Sequence, residues 1–302
     1  MRKIFLVALA ICLLQPAVAH ADTPVTEVLS AEGGAQLVDI GAPLPAVPAR
    51  QPGRSAAAPP RHWFGAYQPP ITLQPNQYIQ AWGYCPDGML VTGGGASVTS
   101  YGLTIMATQP LDGGNGWKVL IVNNGDVDAT FKVHRVCFSG LSNYQIASRK
   151  IVVAPYTSDG VSASCPSGTS AVGGGGETDS FWGRNGTYPV VPGLLDWRFY
   201  FNNRESVART ATAYAVCAWG INNLGTNYVG AAVDNGQYGR AAKACFPGRV
   251  VVSGGYFSLA DQGAYGPRWT DSFPSSATEW TVYGYNDTGR RGYVEAHAVC
   301  GN

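Results

Sequence analysis

The sequence predicts an all-β protein made of three tandem antiparallel units, each stapled by a disulfide, in a pseudo-threefold arrangement. Three observations carry this. A cysteine-bounded pattern occurs three times at fixed spacing. Turn residues punctuate short runs rich in Thr, Val and Tyr. Those runs alternate apolar and polar residues with a period of two. The pattern reads Cys85-Pro86-Asp87-Gly88, Gly93-Gly94-Gly95, Trp117 and Cys137. It returns as Cys165-Pro166-Ser167-Gly168, Gly173-Gly174-Gly175, Trp197 and Cys217. The third occurrence is Cys245-Phe246-Pro247-Gly248, Ser253-Gly254-Gly255, Trp280 and Cys300. The opening cysteines lie 80 residues apart, and each tryptophan stands 20 residues before the closing cysteine.

Residues 1–21 read as an export signal. Arg2 and Lys3 form the charged start, Ile4 to Leu14 are almost wholly apolar, and Ala19-His20-Ala21 supplies the small residues of a cleavage site. The run is too short to span a membrane, and no later run is longer. Cys12 follows Ile11 rather than a small residue, which argues against a lipid anchor. Cleavage before Asp22 removes two of the 20 basic residues and leaves 18 against 19 acidic, a formal charge of −1. So balanced a chain has no electrostatic footprint for nucleic acid or for an anionic membrane surface. The expected location is secreted, extracellular or periplasmic. Residues 22–60, rich in Ala, Pro and Gly from Gly33 onward, lack any sustained hydrophobic period and read as a flexible linker.

The units are expected at 61–140, 141–220 and 221–302. The correspondence extends upstream of the cysteines, where Ile71, Leu73 and Pro75 match Ile151, Val153 and Pro155. Within the first unit, strands are expected at Tyr78–Tyr84, Met89–Val98, Leu103–Thr108, Trp117–Val122 and Ala129–Phe138, in a meander. Cys85-Pro86-Asp87-Gly88 suits a type I turn, with proline second and glycine fourth; in the third unit the proline moves one place, which suits a shifted or type II turn. The closing strands have one small apolar face: Ala211, Ala213, Ala215 and Cys217 in the second unit, Val294, Ala296, Ala298 and Cys300 in the third. Two compact solutions fit, a β-prism-like body or three small sandwiches in series. Short connections favour the former.

Six cysteines remain after cleavage, an even number in an oxidising compartment. Pairing within units joins Cys85 to Cys137, Cys165 to Cys217 and Cys245 to Cys300. The alternative, equally regular, joins Cys137 to Cys165 and Cys217 to Cys245 and closes Cys85 on Cys300. A duplicated unit should carry its own staple, which favours the first. No Cys-x-x-Cys occurs, and no metal or cofactor is expected.

The glycine triplets lack the context of a phosphate cradle, because strand-forming residues follow rather than a helix. They suit strands approached closely by another backbone or ring, near a shared axis. The repeated tryptophans suit the core. The least similar part of each unit lies between glycines and tryptophan. It carries Tyr101 in the first; Trp182, Arg184, Asn185 and Tyr188, beside Phe181, in the second; and Tyr265, Arg268 and Trp269 in the third. Flat rings beside Arg and Asn donors are what a saccharide site uses. The expected function is therefore a non-catalytic, lectin-like binding protein for a glycan or another cell-surface polymer. A structural or adhesion role without a small ligand is the alternative. A third reading is a glycosidase-like hydrolase using Glu177 and Asp179, two apart on one expected strand. His134, Tyr214 and His297 share one position in the three units and suit an aromatic slot. Asn185-Gly186-Thr187 and Asn286-Asp287-Thr288 match the N-glycosylation sequon.

Overall fold

Alternating apolar and polar residues, broken by Gly, Pro and Asn, fold into strands throughout the described chain. The computed structural model describes residues 61–67, 69–100, 102–180, 184–190, 194–260 and 266–302, with only the main chain of Arg184 and Asn185. The expected export signal and linker, and Tyr101, Trp182 and Tyr265, lie outside the described residues. The first segment contains β1 (His62–Ala66), β2 (Ile71–Leu73), β3 (Tyr78–Tyr84), β4 (Leu90–Val98), β5 (Leu103–Pro110), β6 (Gly116–Asn123) and β7 (Ala129–Phe138). The second contains β8 (Ser142–Val153), β9 (Ser158–Ser164), β10 (Ser170–Thr178), β11 (Arg184–Val190), β12 (Asp196–Asn202) and β13 (Arg209–Trp219). The third contains β14 (Gly225–Val233), β15 (Tyr238–Ala244), β16 (Val250–Ala260), β17 (Arg268–Ser276), β18 (Glu279–Tyr285) and β19 (Gly292–Gly301). Among the described residues no helix is long and apolar enough to cross a membrane.

These strands form three antiparallel sheets, and each sheet draws on two segments. The first runs β1-β7-β4-β17-β18-β15, with β2 beside β7. The second runs β3-β6-β5-β10-β13-β8, and the third β14-β19-β16-β11-β12-β9. Separate small sandwiches would need each segment to pair only with itself. Instead, a glycine strand of one segment meets the strand after the glycines of another at three seams. Ala96 pairs with Ser272, Gly176 with Thr108, and Tyr256 with Thr187. The three disulfides close within segments: Cys85–Cys137, Cys165–Cys217 and Cys245–Cys300, with Cα separations of 5.9, 5.5 and 5.7 Å.

Each place in the glycine triplet answers to a different neighbour. At the first place, a β-carbon on Gly173 would strike Thr92 O, and one on Gly93 would strike Ser253 Cβ. The three glycine strands touch one another here. Thr92 Oγ1 donates to Val252 O at 2.6 Å, and Ser253 Oγ donates to Val172 O at 2.7 Å. One side chain, Ser253, fills the space that two glycines leave, so the third triplet begins with serine. At the second place, the rings of Trp117, Trp197 and Trp280 lie flat on Gly94, Gly174 and Gly254. The three rings are fully buried. Each indole N–H finds a hydroxyl: Thr108 at 2.6 Å, Thr187 at 2.5 Å and Ser272 at 3.0 Å. The third place faces the seam, where Gly95, Gly175 and Gly255 lie against the carbonyls of Ser272, Thr108 and Thr187.

One local reading is corrected. In the first two units the turn after the opening cysteine begins one residue later than expected, and in the third it is shifted as expected: Met89 N donates to Pro86 O, Thr169 N to Pro166 O and Arg249 N to Phe246 O, each at 3.1 Å. Glycine then falls in the third place, where φ is +77° to +83° and a side chain would be strained. The Asn286 sequon is internal to the fold. Asn286 is fully buried, and its Nδ2 donates to Val233 O and Arg290 O, both at 2.7 Å. Asn123 and Asn203 clamp the matching turns in the same way.

A candidate ligand-binding face on the third sheet

The third sheet turns one face to the core, where Trp197, Phe199, Tyr256, Val294, Ala296 and Ala298 are buried. Period-two alternation sends their neighbours outward. Two rows of outward residues cross all six strands in register. From β14 to β9, one row is Tyr228, His297, Gly255, Tyr188, Arg198 and Ser162; the next is Gly230, Glu295, Phe257, Gly186, Tyr200 and Gly160. Gly255 is glycine because of the seam behind it. Its missing side chain leaves a notch across which Tyr188 and His297 meet.

The result is a continuous band of rings. Tyr228 stacks on His297 with centroids 5.3 Å apart, and His297 on Tyr188 at 5.3 Å. Tyr188 leans on Phe257 at 4.9 Å, and Phe257 meets Tyr200 edge-on at 6.1 Å. The rings come from four strands beyond β14's Tyr228 and reach β12; four strand spacings make this about 19 Å. Tyr228 is 58% exposed, while Tyr188, Phe257 and Tyr200 are half-buried. Leu259 and Tyr293, paired in the next row, extend the apolar surface.

Polar groups flank the band. Glu295 Oε2 lies 3.3 Å from His297 Nε2. Burial holds the Tyr188 hydroxyl above the usual tyrosine range; the Arg198 charge opposes this, and Glu295 and Tyr200 add to it. Tyr188 therefore remains a neutral donor. The Arg198 guanidinium lies over Gly160, whose missing side chain makes room for it. Among the described residues no carboxylate pairs with Arg198. Chemically, the face offers flat rings for stacking, a cation, a carboxylate and phenolic hydroxyls, all on paired strands.

The matching positions on the other sheets have other chemistry. On the second sheet, Tyr214, Gln109, Lys118 and Glu177 replace His297, Tyr188, Arg198 and Phe257. The Tyr214 hydroxyl donates to Glu177 Oε1, and Lys118 Nζ lies 3.9 Å from Glu177 Oε2. Burial and the Glu177 contact raise the Tyr214 pKa well beyond its usual range. On the first sheet the places belong to His134, Phe273, Thr281 and Ser97. His134 Nε2 is 2.8 Å from Ser97 Oγ and its ring 4.7 Å from Phe273. Burial, with Lys132 and Arg135 adding to it, lowers the His134 imidazole to about 4.

Of the residues expected at a site, Tyr188 sits in the band, and the main chain of Arg184 and Asn185 belongs to the same strand, β11. Arg268 and Trp269 are on the first sheet, apart from Tyr188. Trp269 is buried, stacked on Tyr256 at 5.3 Å, so it packs inward and is not available to a ligand. Arg268 lies over the Tyr285 ring and pairs with Asp287 at 3.3 Å. Glu177 and Asp179 have separate tasks: Glu177 holds Tyr214, while Asp179 Oδ1 accepts from Thr210 N at 2.8 Å beyond the end of β10. Thr99 does the same for Thr130 N in the first segment, at 3.2 Å. Sequence reasoning missed Arg198, Tyr200, Tyr228, Phe257 and Glu295. The available signal was that Phe257 shares its place with Ser97 and Glu177, and His297 with His134 and Tyr214. No protein-family model matches the chain, and no curated protein sequence matches it.

Proposed function

We propose that this is a secreted, non-catalytic binding protein, lectin-like in action, that holds a saccharide of a glycan or cell-surface polymer against the third sheet. The observation that carries the reading is the ring band from Tyr228 to Tyr200, flanked by Arg198 and Glu295. Sugar rings present C–H faces that stack on aromatic side chains, and hydroxyls that pair with planar cations and carboxylates. Strand positions fix these groups in advance, which limits the entropy lost on binding. The architecture proposed for residues 61–302 is three tandem units in a β-prism-like arrangement, each sheet one side, with the glycine strands on the axis. The cyclic sharing of sheets and the contacts among Thr92, Gly173 and Ser253 support it. Three disulfides and the apolar start of the chain support export, with residues 22–60 as a tether.

A glycan array probed with wild-type protein and with Tyr188→Ala and Tyr200→Ala tests the reading. Wild type should bind a set of glycans, and each variant should lose at least tenfold while keeping wild-type unfolding behaviour. No glycan bound, or binding indifferent to both substitutions, would overturn it.

A further inference from the structure

We infer that the saccharide held by the ring band carries a carboxylate, as in a uronic or sialic acid, and that Arg198 is its partner. The inference rests on the saccharide reading above and specifies its ligand class. Three observations lead to it. First, Arg198 is a cation without a described counter-ion on a half-buried surface. Its Nε is shut off from solvent with no hydrogen-bond partner, so the charge is costly as it stands. An anion at the remaining guanidinium donors offsets that cost. Second, the carboxylates that share this face do not reach it: neither Asp196, two residues before Arg198 on β12, nor Glu295 on β19 forms an ion pair with the guanidinium. Third, the matching positions on the other sheets are not left in this state. Lys118 has Glu177 at 3.9 Å, and Thr281 carries no charge. Only the position beside the ring band keeps an unanswered charge.

The geometry selects a planar anion attached to a ring. Arg198 is directly cross-strand from Tyr188 and two residues from Tyr200 on the same side of β12. A pyranose stacked on either tyrosine brings a ring substituent to the guanidinium. A guanidinium presents paired N–H groups in one plane, which match the two oxygens of a carboxylate. Gly160, beside Tyr200 in the second row, leaves the room in which the guanidinium lies next to that ring.

The test is a titration of the full mature chain with oligogalacturonate, heparosan oligosaccharide and sialyllactose, each beside its carboxyl-reduced form, and with neutral cello- and chito-oligosaccharides. Arg198→Gln and Arg198→Lys are run in parallel. The inference expects at least one acidic member to bind at least tenfold more tightly than its reduced form. It expects Arg198→Gln to abolish that difference, Arg198→Lys to keep part of it, and added salt to weaken the acidic ligand alone. If reduced and neutral saccharides bind as well as acidic ones, the inference is overturned and the saccharide reading stands. If no saccharide of any kind binds, both fall. The comparison of acidic with reduced ligand uses wild-type protein, so it decides the matter even if a variant misfolds.

Discussion

Replacing Gly175 by alanine should be among the most damaging single-methyl additions in this protein. Gly175 lies on β10 at the seam with β5. A β-carbon there would stand 1.9 Å from Thr108 O and 2.8 Å from Thr108 C. Ordinary contact begins at 3.4 Å, so the two strands would have to part by about 1.5 Å. Both obstacles are main-chain atoms, and no rotamer change relieves them. Overpacking of a tight interior costs about 1–3 kcal/mol. Parting the strands also weakens the seam's hydrogen bonds, each worth about 1 kcal/mol. The expected loss is at least about 3 kcal/mol, a fall in Tm of about 6–12 °C for a body of this size. Gly168→Ala is the control. Its added carbon meets nothing within 4 Å, but its φ is +83°. It should cost only about 1–2 kcal/mol, from backbone conformation alone. Urea unfolding followed by tryptophan fluorescence measures both, because Trp197 lies buried on the neighbouring Gly174. A Gly175→Ala protein within about 1 kcal/mol of wild type, or one more stable than Gly168→Ala, would refute the seam.

Other expectations follow from the same contacts. Asp271 is almost wholly buried and accepts from Val98 N at 2.6 Å; burial raises its carboxyl from 3.8 to about 6, against that hydrogen bond. The folded state therefore binds this proton more tightly than the unfolded chain, so stability falls as pH rises from 3.8 to about 6. Asp271→Asn should gain about 2–3 kcal/mol at pH 7 and nothing below pH 4; an equal effect at both would contradict the assignment. His134 works in the opposite sense: its pKa falls from 6.5 to about 4, so its contribution is lost as pH drops through that window, and His134→Gln should remove this acid sensitivity in urea titrations. Replacing Cys165 and Cys217 together by alanine opens a loop spanning 52 residues and should cost about 4 kcal/mol by the chain-entropy relation, read as a shifted urea midpoint. A loss below about 1 kcal/mol would count against that relation here. Folded protein made in a glycosylating host should carry no glycan on Asn286, since both Nδ2 bonds hold the turn; peptide mass spectrometry showing occupancy there would contradict the clamp.

Much of the local structure was legible in the sequence, because it depends on near neighbours. The strands Tyr78–Tyr84 and Ala129–Phe138 end where their alternation ends. Ala211, Ala213, Ala215 and Cys217 form a buried face, as their period of two requires. The cysteines close within segments, as a duplicated unit carrying its own staple suggested. What escaped depends on pairing between distant strands. The sequence around Thr108 reads as an ordinary strand and gives no sign that, with Val119 of its own segment on one side, its neighbour on the other is Gly176 of the second segment. The turn offset escaped because Gly88 suits the fourth place of one turn as well as the third of another. Trp269 looked like a loop ring, but a register shift between Trp269 and Asp271 breaks the alternation around it, and its ring lies inside. The band was hidden for a related reason. Tyr228, His297, Tyr188, Phe257 and Tyr200 span two segments, and only the seam between Tyr256 and Thr187 brings them together.

The three sheets offer a built-in control for the central claim, that binding belongs to the third sheet's outer face. Amide and side-chain NMR signals of isotope-labelled protein, followed during titration with an acidic oligosaccharide, would locate the ligand residue by residue. The account predicts shifts concentrated at Tyr188, Arg198, Tyr200, Phe257 and His297, with the matching positions Gln109, Lys118, Phe273 and Thr281 unmoved. Shifts centred on those matching positions, or spread evenly over all three sheets, would contradict it.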